Sequence, residues 1–261
     1  MKANEFITKL RSQGRYSFSI HEINDALGAN MAATLNALRR LKIHQLIVSP
    51  AKGFYLILPP EYQAYGCLPA DMFIPDLMKH LELPYYVGFL SAAQFYGAAH
   101  QKPQRFQVVT LKNKIPIQCG RIYVEFIANK NMAVMPVRKF NTFAGSLAVA
   151  APEVLAADLV TSPNHAAGIN NVATILKELV ENIDANQLVE LMKLKPELFW
   201  VQRLGYLLES LEFDELANVL TKALSDKQLH WARLVSRAPY NPLKRNHKWK
   251  IIVNTKVEAD E

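Results

Sequence analysis

Residues 19–58 read SIHEINDALGANMAATLNALRRLKIHQLIVSPAKGFYLIL, and this stretch decides the fold of the N-terminal part of the chain. Ser19 and Glu22 have the three-residue spacing of a capping box, which predicts the start of a helix. Gly28 predicts the end of that helix, because glycine readily adopts the left-handed backbone that closes one. A second helix is predicted to follow at once, from about Asn30.

Two β-rich runs come after these helices, from Leu46 to Ser49 and from Phe54 to Leu58, and the four residues between them suit a hairpin tip. An earlier helix from Asn4 to Ser12 and a short strand at 16–18 complete a domain over residues 1–60. Helix, turn, helix and hairpin is the order of a winged helix-turn-helix, whose second helix enters the DNA major groove.

An apolar stripe on the second helix determines which of its side chains are predicted to be exposed. We expect the stripe to face inward, and it consists of Met31, Leu35, Leu38 and Leu41. The predicted DNA contacts are the polar residues beside it and one wing lysine, namely Asn30, Thr34, Asn36, Arg39, Arg40 and Lys52. Arg40 suits a guanine or a phosphate, and Asn36 suits an adenine. Backbone contacts are expected for Thr34, Arg39 and Lys52. A winged helix used for protein contact is the alternative.

Composition and charge narrow the class of protein. The net charge is +7, and residues 1–60 hold eight Lys or Arg against three Asp or Glu, which fits phosphate binding. Two cysteines are too few for a disulfide framework or a zinc site, so we expect free buried thiols. Neither a signal peptide nor a membrane-spanning run is evident, and we expect a cytoplasmic protein that needs no membrane.

After a bridging segment at 61–84, a larger second domain is predicted over residues 85–261. Strands are expected near 106–111, 122–127 and 134–140, followed by a helical region and two closing strands. The predicted fold class is therefore α+β, with a winged helix-turn-helix followed by a mixed domain. Inside one helix, Arg203 is expected to pair with a nearby acid such as Asp158.

Sequence motifs for catalysis are mostly absent. The chain has no P-loop, no nucleophile elbow and no clustered Cys and His ligands, so we expect no enzyme, no metal and no cofactor. Ser91 and His100 could in principle form a nucleophile and base, but Ser91 is more simply a helix cap. A DNA-tethered nuclease or nucleotide-modifying enzyme is the alternative function, although Glu125 lacks the lysine two positions on that restriction-type nucleases carry.

Five segments together resemble the AbiEi antitoxins of type IV toxin–antitoxin systems, which were first studied as phage abortive-infection genes. Residues 201–209, VQRLGYLLE, are the most specific of them. The others are residues 53–62, 85–93, 97–104 and 168–173.

The resemblance implies a non-enzymatic regulator with two functions. Its winged helix would bind inverted repeats in operator DNA and act as a transcriptional repressor of its own operon. Its C-terminal domain would counteract a neighbouring nucleotidyltransferase-like toxin, and direct contact between the two proteins is not required. Ala33 and Ala37 stand where many relatives have longer polar side chains, so the operator itself is not predicted.

A second basic block lies at residues 100–140, which hold eight Lys or Arg against one acid. Like charges held close together need compensation, either from the acidic helices of residues 150–230 or from phosphates. We favour phosphates, and the predicted second nucleic-acid surface consists of Lys102, Arg105, Lys112, Lys114, Arg121 and Lys130.

Overall fold

The computed structural model describes residues 1–99, 103–142, 145–238 and 244–258. It is 46% helical and 20% strand, which confirms the predicted α+β class. The chain divides into two compact units. The first unit comprises residues 1–87, 104–133 and 139–148, and the second comprises residues 88–103, 134–138 and 149–261. The domain boundaries predicted at residues 60 and 85 refer to segments that would fold independently. They stay a prediction.

The N-terminal part of the first unit has the element order predicted for a winged helix. Its elements are α1 (Ala3–Ser12), β1 (Ser17–Ser19), α2 (Ile20–Leu27), α3 (Met31–Ile43), β2 (Ile47–Ala51) and β3 (Phe54–Ile57). The three strands form an antiparallel sheet in the order β1-β3-β2. Apolar side chains from all three helices and the sheet share one core, in which Phe6 meets Phe18 edge to face.

Local sequence explains why α2 begins and ends where it does. The backbone N–H of Glu22 donates to Ser19 Oγ at 3.2 Å, and the Ser19 N–H donates to the Glu22 carboxylate at 2.8 Å. This is the capping box expected from the sequence. At the other end Gly28 has φ +58°, the left-handed conformation that closes the helix without a Cβ clash.

The rest of the first unit supplies two helices and most of a six-stranded sheet. The helices are α4 (Pro60–Gln63) and α5 (Ile74–His80). The strands are β4 (Tyr86–Val87), β5 (Phe106–Thr110), β6 (Ile117–Cys119), β7 (Ile122–Ala128), β8 (Val137–Thr142) and β9 (Gly145–Ala150). Their order is β6-β7-β5-β4-β9-β8, and β5 pairs with β7 in parallel. Strands β4 and β6 were not expected from the sequence, because each is too short to show a periodic pattern.

The second unit is largely helical and ends in a small sheet. Its helices are α6 (Phe89–Phe95), α7 (Pro152–Thr161), α8 (Ile169–Leu179), α9 (Ala185–Leu194), α10 (Phe199–Ser210) and α11 (Asp214–Ala223). Its sheet consists of β10 (Ala232–Arg233), β11 (Lys244–Asn246) and β12 (Ile251–Val253) in the order β10-β12-β11. None of the helices in the described parts of the chain has the length and apolar character that a membrane span requires.

Polar side chains of α10 hold this small sheet in place. The fully buried Gln202 donates from Nε2 to the carbonyl oxygens of His230 and Trp249, both at 2.8 Å. Arg203 donates from Nε to the carbonyl of Arg233 at 2.9 Å. These bonds satisfy buried donors and also fix the approach of the strands to the helix.

The predicted ion pair between Arg203 and Asp158 is therefore wrong. Asp158 instead pairs with Lys195, whose Nζ lies 2.8 Å from Oδ1. Burial lowers the pKa of the Arg203 guanidinium, as expected for a cation that is satisfied by a carbonyl dipole and not by a carboxylate.

Gly205 allows Trp249 to lie directly against the backbone of α10. A Cβ at position 205 would come within 2.1 Å of Trp249 Cζ3 and 2.2 Å of Cη2. The indole N–H of this buried ring donates to the Glu209 carboxylate one turn further along the helix. The sequence VQRLGYLLE thus combines a glycine for close approach with polar residues that hold the C-terminal strands.

We predict that Gly205→Ala destabilises the protein even though alanine is the better helix former. The helix propensity gain is about 1 kcal/mol, whereas overpacking a closed core site costs about 1–3 kcal/mol or more. Urea unfolding followed by circular dichroism measures the difference. The destabilisation should shrink in a Trp249→Phe background, since phenylalanine lacks the clashing atoms. A Gly205→Ala protein as stable as the parent would contradict the close approach.

Candidate nucleic-acid interface

The exposed face of α3 differs from the one predicted from the sequence. Met31 and Leu35 are 42% and 48% exposed, so the prediction that they face inward is wrong. The buried face consists of Thr34, Ala37, Leu38 and Leu41. Small and weakly polar residues occupy half of that face. For this reason the pattern of large apolar residues did not predict which face of α3 is buried.

Thr34 belongs to the buried face and is not available to DNA. Its side chain is 0% exposed, and its hydroxyl donates to Asn24 Oδ1 of α2 at 2.9 Å. Thr34 therefore joins α2 to α3 and does not have the exposure that the predicted phosphate contact requires. Asn30 is exposed, but it is the N-cap of α3 and its Oδ1 accepts from the Ala33 N–H at 2.8 Å.

Asn36, Arg39 and Arg40 are all exposed, as their predicted role requires. A helix turns once in about 3.6 residues, so the direction opposite the buried face is occupied by Ala32, Asn36 and Arg39. Arg40 lies to one side of that direction. The geometry thus puts Arg39 and Asn36, more than Arg40, at the centre of the exposed face.

The wing tip is fixed by contacts with α5. The His80 imidazole lies 3.1 Å from the Lys52 carbonyl oxygen, and its ring centroid is 5.3 Å from that of Phe54. Gly53 has φ +74°, which allows the tight turn between β2 and β3. The Lys52 side chain remains exposed on this fixed turn.

The second basic block is mostly exposed where it is described. Arg105, Lys112, Arg121 and Lys130 are exposed, Lys114 is half-buried, and Lys102 lies outside the described residues. Two of the arginines pack on aromatic rings, Arg105 at 5.1 Å from the Tyr123 centroid and Arg121 at 5.8 Å from that of Tyr65. Such packing holds the guanidinium groups in defined positions while leaving their charge in place.

The two cysteines are free and buried, as predicted. Gly66 and Gly120 approach so closely that a Cβ on Gly120 would lie 2.8 Å from the Gly66 Cα, and this brings the neighbouring Cys67 and Cys119 together. The hydrogen bond with Cys119, together with burial, raises the pKa of the Cys67 thiol. The same hydrogen bond lowers the pKa of Cys119, so the two thiols act as one coupled pair.

The described residues offer few candidate catalytic or ligand sites. Among them, no group of three or more His, Cys, Asp or Glu side chains could hold a metal ion. The second unit has an open cleft of about 600 Å³, whose lining includes Lys177, Tyr206, Ser210 and Lys244. His100, the base of the imagined pair with Ser91, lies outside the described residues, and Ser91 itself is buried in α6.

Comparison with known proteins supports the resemblance noted in the sequence. Residues 86–210 match the family described as the AbiEi antitoxin C-terminal domain, so the predicted resemblance is confirmed. The fold is similar to the crystal structure of the RV2827C protein from Mycobacterium tuberculosis, with a TM-score of 0.68 over 95% of this chain and 90% of that chain. The two sequences are 17% identical, so this similarity concerns the fold alone. A comparison with curated proteins found no match.

We predict that Thr34→Val lowers the free energy of unfolding by about 1 kcal/mol, because it removes one buried hydrogen bond to Asn24. Thr34→Ser keeps the hydroxyl and is the matched control. Neither change should alter DNA affinity in a folded protein. If Thr34→Val weakened DNA binding without loss of stability, Thr34 would be a DNA contact after all.

Proposed function

We propose that the protein is a bifunctional antitoxin that represses its own operon and counteracts a nucleotidyltransferase-like toxin encoded beside it, because residues 86–210 match the family described as the AbiEi antitoxin C-terminal domain. The family match is the observation that carries the antitoxin role. Operator DNA with inverted repeats is the first proposed partner, and the toxin is the second. The system would be of type IV and act in phage defence, in the cytoplasm, and the antagonism requires no stable complex of the two proteins.

The exposed face of α3 supports the DNA-binding part of the proposal. Arg39 would fork onto a guanine and Asn36 would pair with an adenine, the base edges that these side chains match best. Exposed Leu35 suits a thymine methyl group. Arg40 and Lys52 would contact phosphates and fix the register of the helix on the duplex.

We propose no enzymatic activity and no cofactor. The rival function, a DNA-tethered nuclease or nucleotide-modifying enzyme, needs a set of carboxylates or nucleophiles in a pocket. No observation in the described part of the chain favours such a set over the antitoxin role.

Arg39→Ala tests both functions in the full chain. If Arg39 reads a base, the substitution should cost about 1–3 kcal/mol of binding to the promoter of the operon and should relax sequence preference. Arg40→Ala should weaken binding to promoter and scrambled duplexes alike. Fluorescence anisotropy at several salt concentrations measures both effects, and Arg11→Ala on α1 controls for the loss of one exposed arginine.

The same variant should still protect cells against the co-expressed toxin, since neutralisation is proposed to belong to the C-terminal domain. Unchanged promoter affinity in Arg39→Ala would exclude it as a reading residue. Loss of protection at normal protein levels would show that the two functions are not separable in this way.

The second basic block is proposed as a further DNA surface. Replacing Lys112, Lys114, Arg121 and Lys130 by glutamine should reduce the salt dependence of operator binding by nearly one unit of log–log slope per lost phosphate contact. The control replaces the same number of lysines at 177, 193, 222 and 227. A slope equal to that of the parent protein would assign the block to the fold, with the acidic helices as its compensation.

A further inference from the structure

Trp231 stands apart from the other two tryptophans of the chain. Trp200 and Trp249 are 2% and 1% exposed, whereas Trp231 is 39% exposed at the start of the C-terminal sheet. A tryptophan with this exposure beside a strand keeps a substantial part of its surface in water. It therefore contributes less to the core than its size allows, and its exposure needs an explanation.

Cationic side chains surround this exposed ring. The Arg245 guanidinium lies 5.6 Å and the Lys250 Nζ lies 5.2 Å from the ring centroid of Trp231. The His247 ring meets it edge-on at 5.3 Å. Among the described residues, neither Arg245 nor Lys250 has a carboxylate at ion-pair distance, so both charges remain available.

The surrounding sequence has no acid to balance these charges. Residues 227–257 contain eight Lys or Arg and neither Asp nor Glu. A solvated surface usually mixes both signs, and a one-sign stretch that also carries an exposed tryptophan is typical of a surface that binds a polyanion. Among the described cations of this stretch, two are paired with acids that lie outside it: Lys248 with Glu209, at 3.1 Å, and Lys256 with Glu258.

The backbone that carries Trp231 is well fixed. The Ala232 N–H donates to the Lys250 carbonyl at 2.9 Å, which ties the residues next to Trp231 and those next to β12 together. Gln202 holds the carbonyls of His230 and Trp249 on both sides of the cluster. The aromatic ring and its cations are therefore presented in one defined arrangement.

We propose that Trp231, Arg245 and Lys250 form a binding surface for single-stranded nucleic acid. Trp231 stacks on an unpaired base, and the two cations contact the phosphates on either side of it. Stacking tolerates any base, whereas duplex DNA keeps its bases inside the helix, so this surface differs in kind from the exposed face of α3. The activity is additional to operator binding and does not depend on it.

Tryptophan fluorescence of the full chain tests this directly. An oligo(U) or oligo(dT) strand of about ten nucleotides should quench the emission of the exposed tryptophan at low salt, and both strands should act, because stacking and phosphate contact are common to RNA and DNA. In Trp231→Phe the quenching should disappear while the two buried tryptophans still report a folded protein.

Charge substitutions give a second test that leaves the fluorophore in place. Arg245→Gln and Lys250→Gln should each weaken the quenching titration several-fold, and each should lower its salt slope by about 0.7, the value for one phosphate contact on a single strand. Lys193→Gln, an exposed lysine of α9, is the matched control and should leave the titration unchanged.

Three results would overturn the proposal. The first is the absence of quenching by either strand at low salt. The second is quenching that both glutamine substitutions leave unchanged. The third is a blue shift of Trp231 emission on anionic phospholipid vesicles without any response to the oligonucleotides, which would assign the surface to membranes. Arg39→Ala should not affect the titration, so failure here is distinguishable from failure of operator binding.

Discussion

The side-chain amide of Gln202 bonds to two carbonyl groups that lie far apart in the sequence, those of His230 and Trp249. The amide is fully buried, so losing either acceptor would leave a buried donor unsatisfied, at a cost of about 1–3 kcal/mol. The bonds therefore commit the last strands of the chain to one position on α10. Gly205 constrains the same strands in a second way. It has no side chain, and the indole of Trp249 occupies the space that one would take.

This constraint gives a physical reason for the particular residues of the segment 201–209. A helix that only packs against others tolerates exchanges among apolar residues of similar volume. Gln202, Gly205 and Glu209 are constrained further, since each meets a particular group of the C-terminal segment. The specificity of this segment thus follows from structural contacts within the second unit, and it does not by itself indicate a contact with the toxin.

Local signals in the sequence were enough to predict much of the first unit. The capping box at Ser19 and the left-handed Gly28 both depend on residues close in the chain, and each was predicted correctly. Features that depend on distant partners were not predictable in this way. Strand β11 is held by β12, and Arg203 is bonded to a carbonyl thirty residues away.

The orientation of α3 shows the same limit at the candidate site. Hydrophobicity placed Met31 and Leu35 inside, but Thr34 and Ala37 lie on the buried face, where the Thr34 hydroxyl donates a hydrogen bond to Asn24. For this reason the sequence favoured Arg40 for base contact, whereas Arg39 lies nearer the centre of the exposed face. The predicted set of exposed polar residues was nearly right.

Positive charge is distributed differently in the two units. In the first unit, Arg105 packs on Tyr123 and Arg121 packs on Tyr65, and the phosphates of a bound duplex are the proposed compensation for their charge. In the second unit, twelve acids against six basic residues over 150–230 already make the helices acidic. Cations are nevertheless concentrated at the C-terminal sheet, around the exposed Trp231. The net charge of the whole domain hides this separation of acidic and basic regions. A polyanion that binds the basic C-terminal sheet would be repelled by the acidic helices.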